Sequence, residues 1–134
     1  MTLALEQLET RVKERLAEQR RLVGELLAQR EQLQGSLFER WALCGKAGCA
    51  CREGERHGPY YVLSSRGRAG SGFTYLAPSA ARQARGRVRA YRDFRRGLKR
   101  LQRVNQELVA LLRRVQSRRL KASARSLKSA SVSQ

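Results

Sequence analysis

Cys44, Cys49, Cys51 and His57 fall within fourteen residues in a C-x4-C-x-C-x5-H arrangement, and they are every cysteine and the only histidine of the 134-residue chain. Thiolates and a neutral imidazole are the ligands that tetrahedral Zn²⁺ prefers. Short glycine-bearing loops such as Gly45-Lys46-Ala47-Gly48 let a backbone fold closely around an ion. Four protein ligands leave no position for water or substrate, so the expected zinc is structural. Three thiolates outweigh the dication, and Lys46, Arg52 and Arg56 in the same loops offset the surplus negative charge. Disulfides are the poorer reading, because the number of cysteines is odd and the chain carries no secretory signal pattern. The alternative of incidental thiols and a surface imidazole leaves a segment poor in aliphatic residues with little to order it.

Catalytic chemistry has few candidates. A metal-dependent nuclease or transposase needs clustered carboxylates, and the middle of the chain offers Glu39, Glu53 and Glu55, two of them inside the cysteine loops. A tyrosine nucleophile at Tyr60 or Tyr61 would draw its supporting base from a histidine that zinc already claims. The expectation is therefore a protein that is not an enzyme.

Charge points to a partner. The formal net charge is +18. Residues 1–34 carry six Lys/Arg and six Glu, residues 35–78 six Lys/Arg and three Glu, and residues 79–134 seventeen Lys/Arg against Asp93 and Glu107. Self-repulsion of this kind is relieved by a polyanion, which makes nucleic acid, DNA or RNA, the expected partner. At about 100° per residue Arg85, Arg89, Arg92, Arg96, Lys99 and Arg103 share one helix face, with Arg82 at its margin. Arg66 and Arg68 stand near the tip of a glycine-rich loop, Arg66 to Gly72, that reads as a basic wing. Tyr60, Tyr61 and Tyr75, with Phe73, serve as a stacking platform for bases or as the core of a small sheet, and strand alternation allows one face to do each job.

The elements that must position these residues are legible from periodicity. Residues 1–34 read as one long amphipathic helix, with Thr2 as N-cap, Gly35 as stop, and apolar residues at Leu5, Leu8, Val12, Leu16, Val23, Leu26, Leu27 and Leu33. Residues 35–78 read as a zinc-binding antiparallel β module with strands near Leu37–Leu43, Tyr60–Ser65 and Phe73–Ala77. Residues 79–119, capped by Ser79, carry a heptad line through Tyr91, Phe94, Leu98, Leu101, Asn105, Leu108, Leu112 and Val115. Residues 120–134, mostly Ser, Ala, Lys and Arg, read as a disordered basic tail. If the helices pair as an antiparallel hairpin, Gln19 and Asn105 meet and set the register, although a homodimer joining Asn105 to Asn105 satisfies the same pattern. The fold class is α+β, mostly α. No apolar run is long enough to span a membrane, and a cytoplasmic location is expected.

The string Gly35-Ser36-Leu37, Arg40, Cys44-Gly45-Lys46, Cys49, Cys51, Gly54, His57-Gly58-Pro59-Tyr60-Tyr61 and Leu63-Ser64, followed by Tyr75 and Pro78, resembles a family of small bacterial and archaeal proteins defined by a domain of unknown function and often met near mobile elements. The likeness covers residues 35–78 and extends loosely through the heptad helix. It implies a real fold and a real metal cluster but carries no activity over. The expected function is a nucleic-acid-binding accessory protein, of a mobile element or a ribonucleoprotein, that grips phosphate without reading sequence. A scaffolding subunit acting through the heptad helices is the alternative.

Overall fold

The computed structural model describes residues 3–131 apart from 30, 44, 51–53, 55, 68 and 69. In chain order they form α1 (Leu5–Ala28), β1 (Gly35–Ala42), β2 (His57–Gly67), β3 (Gly70–Leu76) and α2 (Pro78–Ser129), so the α+β, mostly helical class holds. The chain divides into two compact units, one of Met1–Ala28 with Arg96–Gln134 and one of Gln29–Arg95. Among the described residues no helix is long and apolar enough to cross a membrane.

The first unit is helical. At the start of α1 the Gln7 side chain accepts a hydrogen bond from the Ala4 N–H (3.0 Å), and Leu8 N–H donates to the Ala4 carbonyl. That is half of a capping box, with Ala4 at the cap; Thr2 lies outside the described residues. Leu8, Leu22 and Leu26 of α1 are buried with Val104 and Val115 of α2. Gly97 brings the helices close, since a Cβ there would stand 2.6 Å from Leu26 Cδ2. Of the expected heptad line in this unit, Val115 is buried and Leu101, Asn105 and Leu108 are half-buried, whereas Leu98 and Leu112 are exposed. Val104 and Leu111, just off that line, are buried and half-buried, so the packed stripe is shifted to that side. The apolar stripe is broad, and packing selects which of its edges is covered.

The expected disordered tail is also corrected, since α2 continues through Ser129. Ala, Leu, Lys and Arg are good helix formers, and extending an existing helix adds one hydrogen bond per residue with no new nucleus to form. The cap expected at Ser79 is corrected, because Ser79 lies inside α2 and Ala77 stands at the cap, two residues earlier. Pro78 occupies the first helical position, where a missing N–H costs nothing, and Ala81 N–H bonds the Ala77 carbonyl at 2.8 Å. α1 stops at Ala28, short of Gly35, and Leu33 N–H is taken by the Arg87 carbonyl (3.0 Å).

The second unit holds a three-stranded antiparallel sheet in the order β1-β2-β3. Gly35 pairs with Ser65 and Phe38 with Val62, and Val62 pairs in turn with Tyr75. Gly35 is required by a close approach, because a Cβ at that position would collide with the Ser64 carbonyl oxygen. The register shifts between Arg40 and Ala42, which brings Ala42 opposite His57. The seven-residue flexible wing from Arg66 to Gly72 is not what forms: the β2–β3 ladder runs on through Arg66 opposite Ser71 to Gly67 opposite Gly70. Glycine keeps both backbone hydrogen-bonding groups, so a glycine-rich segment can still pair. Buried side chains of this unit are Val62 and Leu63 of β2 and Ala81, Ala84 and Val88 of α2, the last three following helical spacing.

Candidate metal-ligand pair and nucleic-acid interface

The connection from β1 to β2 brings two of the four expected metal ligands together. Cys49 N–H bonds the Lys46 carbonyl (3.4 Å) in a turn whose Gly48 has φ of 79°, a left-handed value that glycine adopts without a Cβ clash. His57 opens β2. Cys49 Sγ then lies 3.1 Å from His57 Nε2. Ligands at ~2.3 Å (sulfur) and ~2.0 Å (nitrogen) from a tetrahedral zinc stand about 3.6 Å from each other, so the two atoms are near each other but closer than the two ligands of such a centre, and would have to part slightly to admit an ion. Gly58 holds this end of β2 tightly: a Cβ there would lie 2.8 Å from the Arg40 carbonyl oxygen and 3.0 Å from the Trp41 ring. Cys44 and Cys51 lie outside the described residues, and among the described residues no three metal-ligating side chains gather.

The basic residues divide by surroundings. On the part of α2 in the second unit, Arg82, Arg85, Arg89 and Arg92 are exposed. Arg87 instead pairs with Glu31, and the Arg95 guanidinium sits 5.9 Å from the centre of the Tyr91 ring. In the first unit Arg96, Lys99 and Arg103 are exposed, and Arg100 reaches Glu18 at 3.7 Å. Arg66 lies in the β2 ladder, and Arg68 is outside the described residues.

The tyrosines do not act together as expected. In register, Arg40 faces Tyr60, Phe38 faces Val62 and then Tyr75, and Ser64 faces Phe73. Residues opposite one another, or two apart on a strand, share a face. Tyr60, Tyr75, Phe73, Phe38 and Arg40 therefore share one face, and Tyr61 belongs to the other, a correction that follows from strand alternation alone. Phe38 and Phe73 meet edge to face at 6.3 Å, Tyr60 and Tyr75 at 6.4 Å, and Arg40 donates a 2.6 Å hydrogen bond to the Tyr75 hydroxyl. Phe38 and Arg40 join this group beyond the residues expected from sequence, and the alternation Ser36, Phe38, Arg40 is the signal that marks them.

In the first unit Gln19 Nε2 donates to Asn105 Oδ1 at 2.7 Å, across 86 residues of sequence and in part-buried surroundings. Arg15–Glu107 and Arg119–Glu9 pairs join the same helices. Arg21 bonds both Glu18 and Glu25. The hydrogen bond from Arg21, with the charges of Arg21, Arg100 and Arg15, holds the Glu18 carboxyl below its ordinary range. The chain matches no curated protein and no solved structure. A family defined by a domain of unknown function, DUF6788, matches residues 5–86, from the first turn of α1 through the sheet into α2, and since that is more than half of the chain the protein belongs to this family.

Proposed function

We propose that the protein is a nucleic-acid-binding accessory factor that holds the phosphate backbone through the arginines of α2, with a β module organised by a structural zinc on Cys44, Cys49, Cys51 and His57. The observation that carries the reading is the exposure of Arg82, Arg85, Arg89 and Arg92 on a stretch of helix where Asp93 is the only acid. Like charges one turn apart cost about 0.2–0.5 kcal/mol per pair, and phosphates remove that cost. The zinc assignment is supported by the Cys49–His57 approach and by the donor set. A mobile element or a ribonucleoprotein is the setting this reading fits.

Binding to a duplex should weaken with salt. If four to six phosphates are contacted, log K falls against log[salt] with a slope of about −4 to −5. Changing Arg92, Arg96 and Arg103 together to Gln should flatten the slope by about 2 to 3 and weaken binding equally across sequences, because phosphate contacts carry no base information. An unaltered affinity and slope would remove the basic helix from the interface. A scaffolding role is the second reading, favoured by Leu98, Val109 and Leu112 of α2 and Leu16 and Val23 of α1, which expose apolar surface in the first unit. Sedimentation in the absence of nucleic acid separates the two: a stable homodimer or a copurifying protein supports the scaffold.

A further inference from the structure

We infer that the Phe38, Tyr60, Phe73 and Tyr75 face of the sheet binds unpaired bases, so that the nucleic acid this protein holds is single-stranded where it crosses the sheet. The inference rests on the nucleic-acid reading above and names the substrate class. Four aromatic side chains on three adjacent strands are exposed by 42% (Phe38), 44% (Tyr60), 71% (Phe73) and 57% (Tyr75). They are not the core of the module. Val62, on the same face between them in register, is 2% exposed, and on the opposite face Leu63 is buried too. Contiguous exposed aromatics of this kind mark a binding surface.

The chemistry of the face selects its occupant. A perpendicular pair covers at most one face of one of its rings, so each of the two pairs keeps aromatic surface open to a flat, polarisable partner. Phe73 and Tyr75 are two residues apart on β3, about 6.8 Å, which is twice the ~3.4 Å rise between nucleotides along one strand. Arg40 lies on the same face with its guanidinium anchored on the Tyr75 hydroxyl, placing a cation at the rim of the rings. Residues 29–95 carry thirteen Lys/Arg against five Asp/Glu. An apolar peptide would use the rings and leave that positive charge uncompensated, whereas a single strand supplies bases and phosphates together. In a duplex the bases are already stacked on one another, and their faces are closed to the sheet.

The test uses the full chain and two fluorescently labelled probes with the same number of phosphates, a twelve-nucleotide oligothymidylate and a twelve-residue abasic strand, in anisotropy titrations over a range of salt. The wild type should bind the thymidylate at least about 20-fold tighter than the abasic strand, because base–aromatic stacking is worth about 5- to 150-fold per base. The Phe73→Leu/Tyr75→Leu variant, which keeps apolar bulk on β3 and removes the rings, should lose most of that preference with abasic affinity and salt slope unchanged. Tyr61→Leu, on the other face, should keep the preference wherever the variant retains the wild-type circular dichroism. Equal wild-type affinity for the two probes with an ordinary salt slope would overturn the stacking inference and leave the phosphate reading standing. A preference that survives loss of both rings would overturn it as well. Failure of the wild type to bind either strand or a duplex would overturn both.

Discussion

The arginines of α1 meet carboxylates, while on α2 a run of arginines stands exposed and on the sheet a face of rings is uncovered. α1 balances five basic residues with five glutamates, and Arg15, Arg21, Arg100 and Arg119 each reach an acid. From Pro78 to Arg95, by contrast, six arginines accompany Asp93 alone. A pairing of charges at the surface contributes little stability, typically below about 1 kcal/mol, but it leaves a helix with no net call on a counter-ion. The unbalanced stretch makes that call. Likewise the helical unit joins its polar side chains Gln19 and Asn105 to each other, whereas the sheet spends Phe38, Tyr60, Phe73 and Tyr75 on the outside. α1 is balanced by its own glutamates, whereas α2, with seventeen Lys/Arg against Asp93 and Glu107, and the aromatic face of the sheet are left to be satisfied by something else.

The largest expected effect separates the units through the metal. Elemental analysis of freshly purified protein should find one zinc per chain, and chelation or Cys49→Ser should unfold the β module while the helical circular dichroism largely persists, since the affinity of a structural metal is folding energy. A metal content near zero with an unchanged fold after chelation would remove the zinc assignment. Next in size is a pair of glycine substitutions with opposite signs. Gly35→Ala drives a Cβ against the Ser64 carbonyl and should cost about 1–3 kcal/mol, whereas Gly24→Ala, in the middle of α1 with nothing within 4 Å, should add about 0.5–1 kcal/mol. Thermal melts report both, and a neutral Gly35→Ala would mean that β1 can shift away from β2. The smallest effect belongs to the register pair. Asn105→Leu alone should destabilise the helical unit by about 1 kcal/mol by leaving Gln19 without its acceptor, and Gln19→Leu/Asn105→Leu should recover that loss. A double-mutant cycle with zero coupling would show that the hydrogen bond does not specify the helix pairing.

Much of the helical unit was legible because its information is local. Spacing of three and four placed α1 and α2, and the matching polar breaks at Gln19 and Asn105 are residues that hydrogen-bond. What escaped was set by tertiary context. The end of α1 at Ala28 is marked by no glycine or proline, and the chain leaves the helix for a segment that bonds Arg87. Which edge of the apolar stripe on α2 is covered depends on what packs there. The tail was misjudged from its lack of core residues, although helix propagation needs none. In the sheet, alternation separates Tyr60 from Tyr61, but Phe38 and Arg40 join Tyr75 only through the registers of two ladders, which no local pattern encodes.

The 86-residue separation of Gln19 and Asn105 also has a meaning in time. At roughly 5–20 residues per second, synthesis delivers Asn105 about 4 to 17 s after Gln19. Over that interval α1 has no partner helix, while the residues of the second unit, contiguous from Gln29 to Arg95, are all made before the first unit can close. The Glu18–Arg21–Glu25 cluster, local to α1 and available at once, gives the waiting helix support of its own. The order of manufacture therefore favours completing the sheet first and closing the helical pair last.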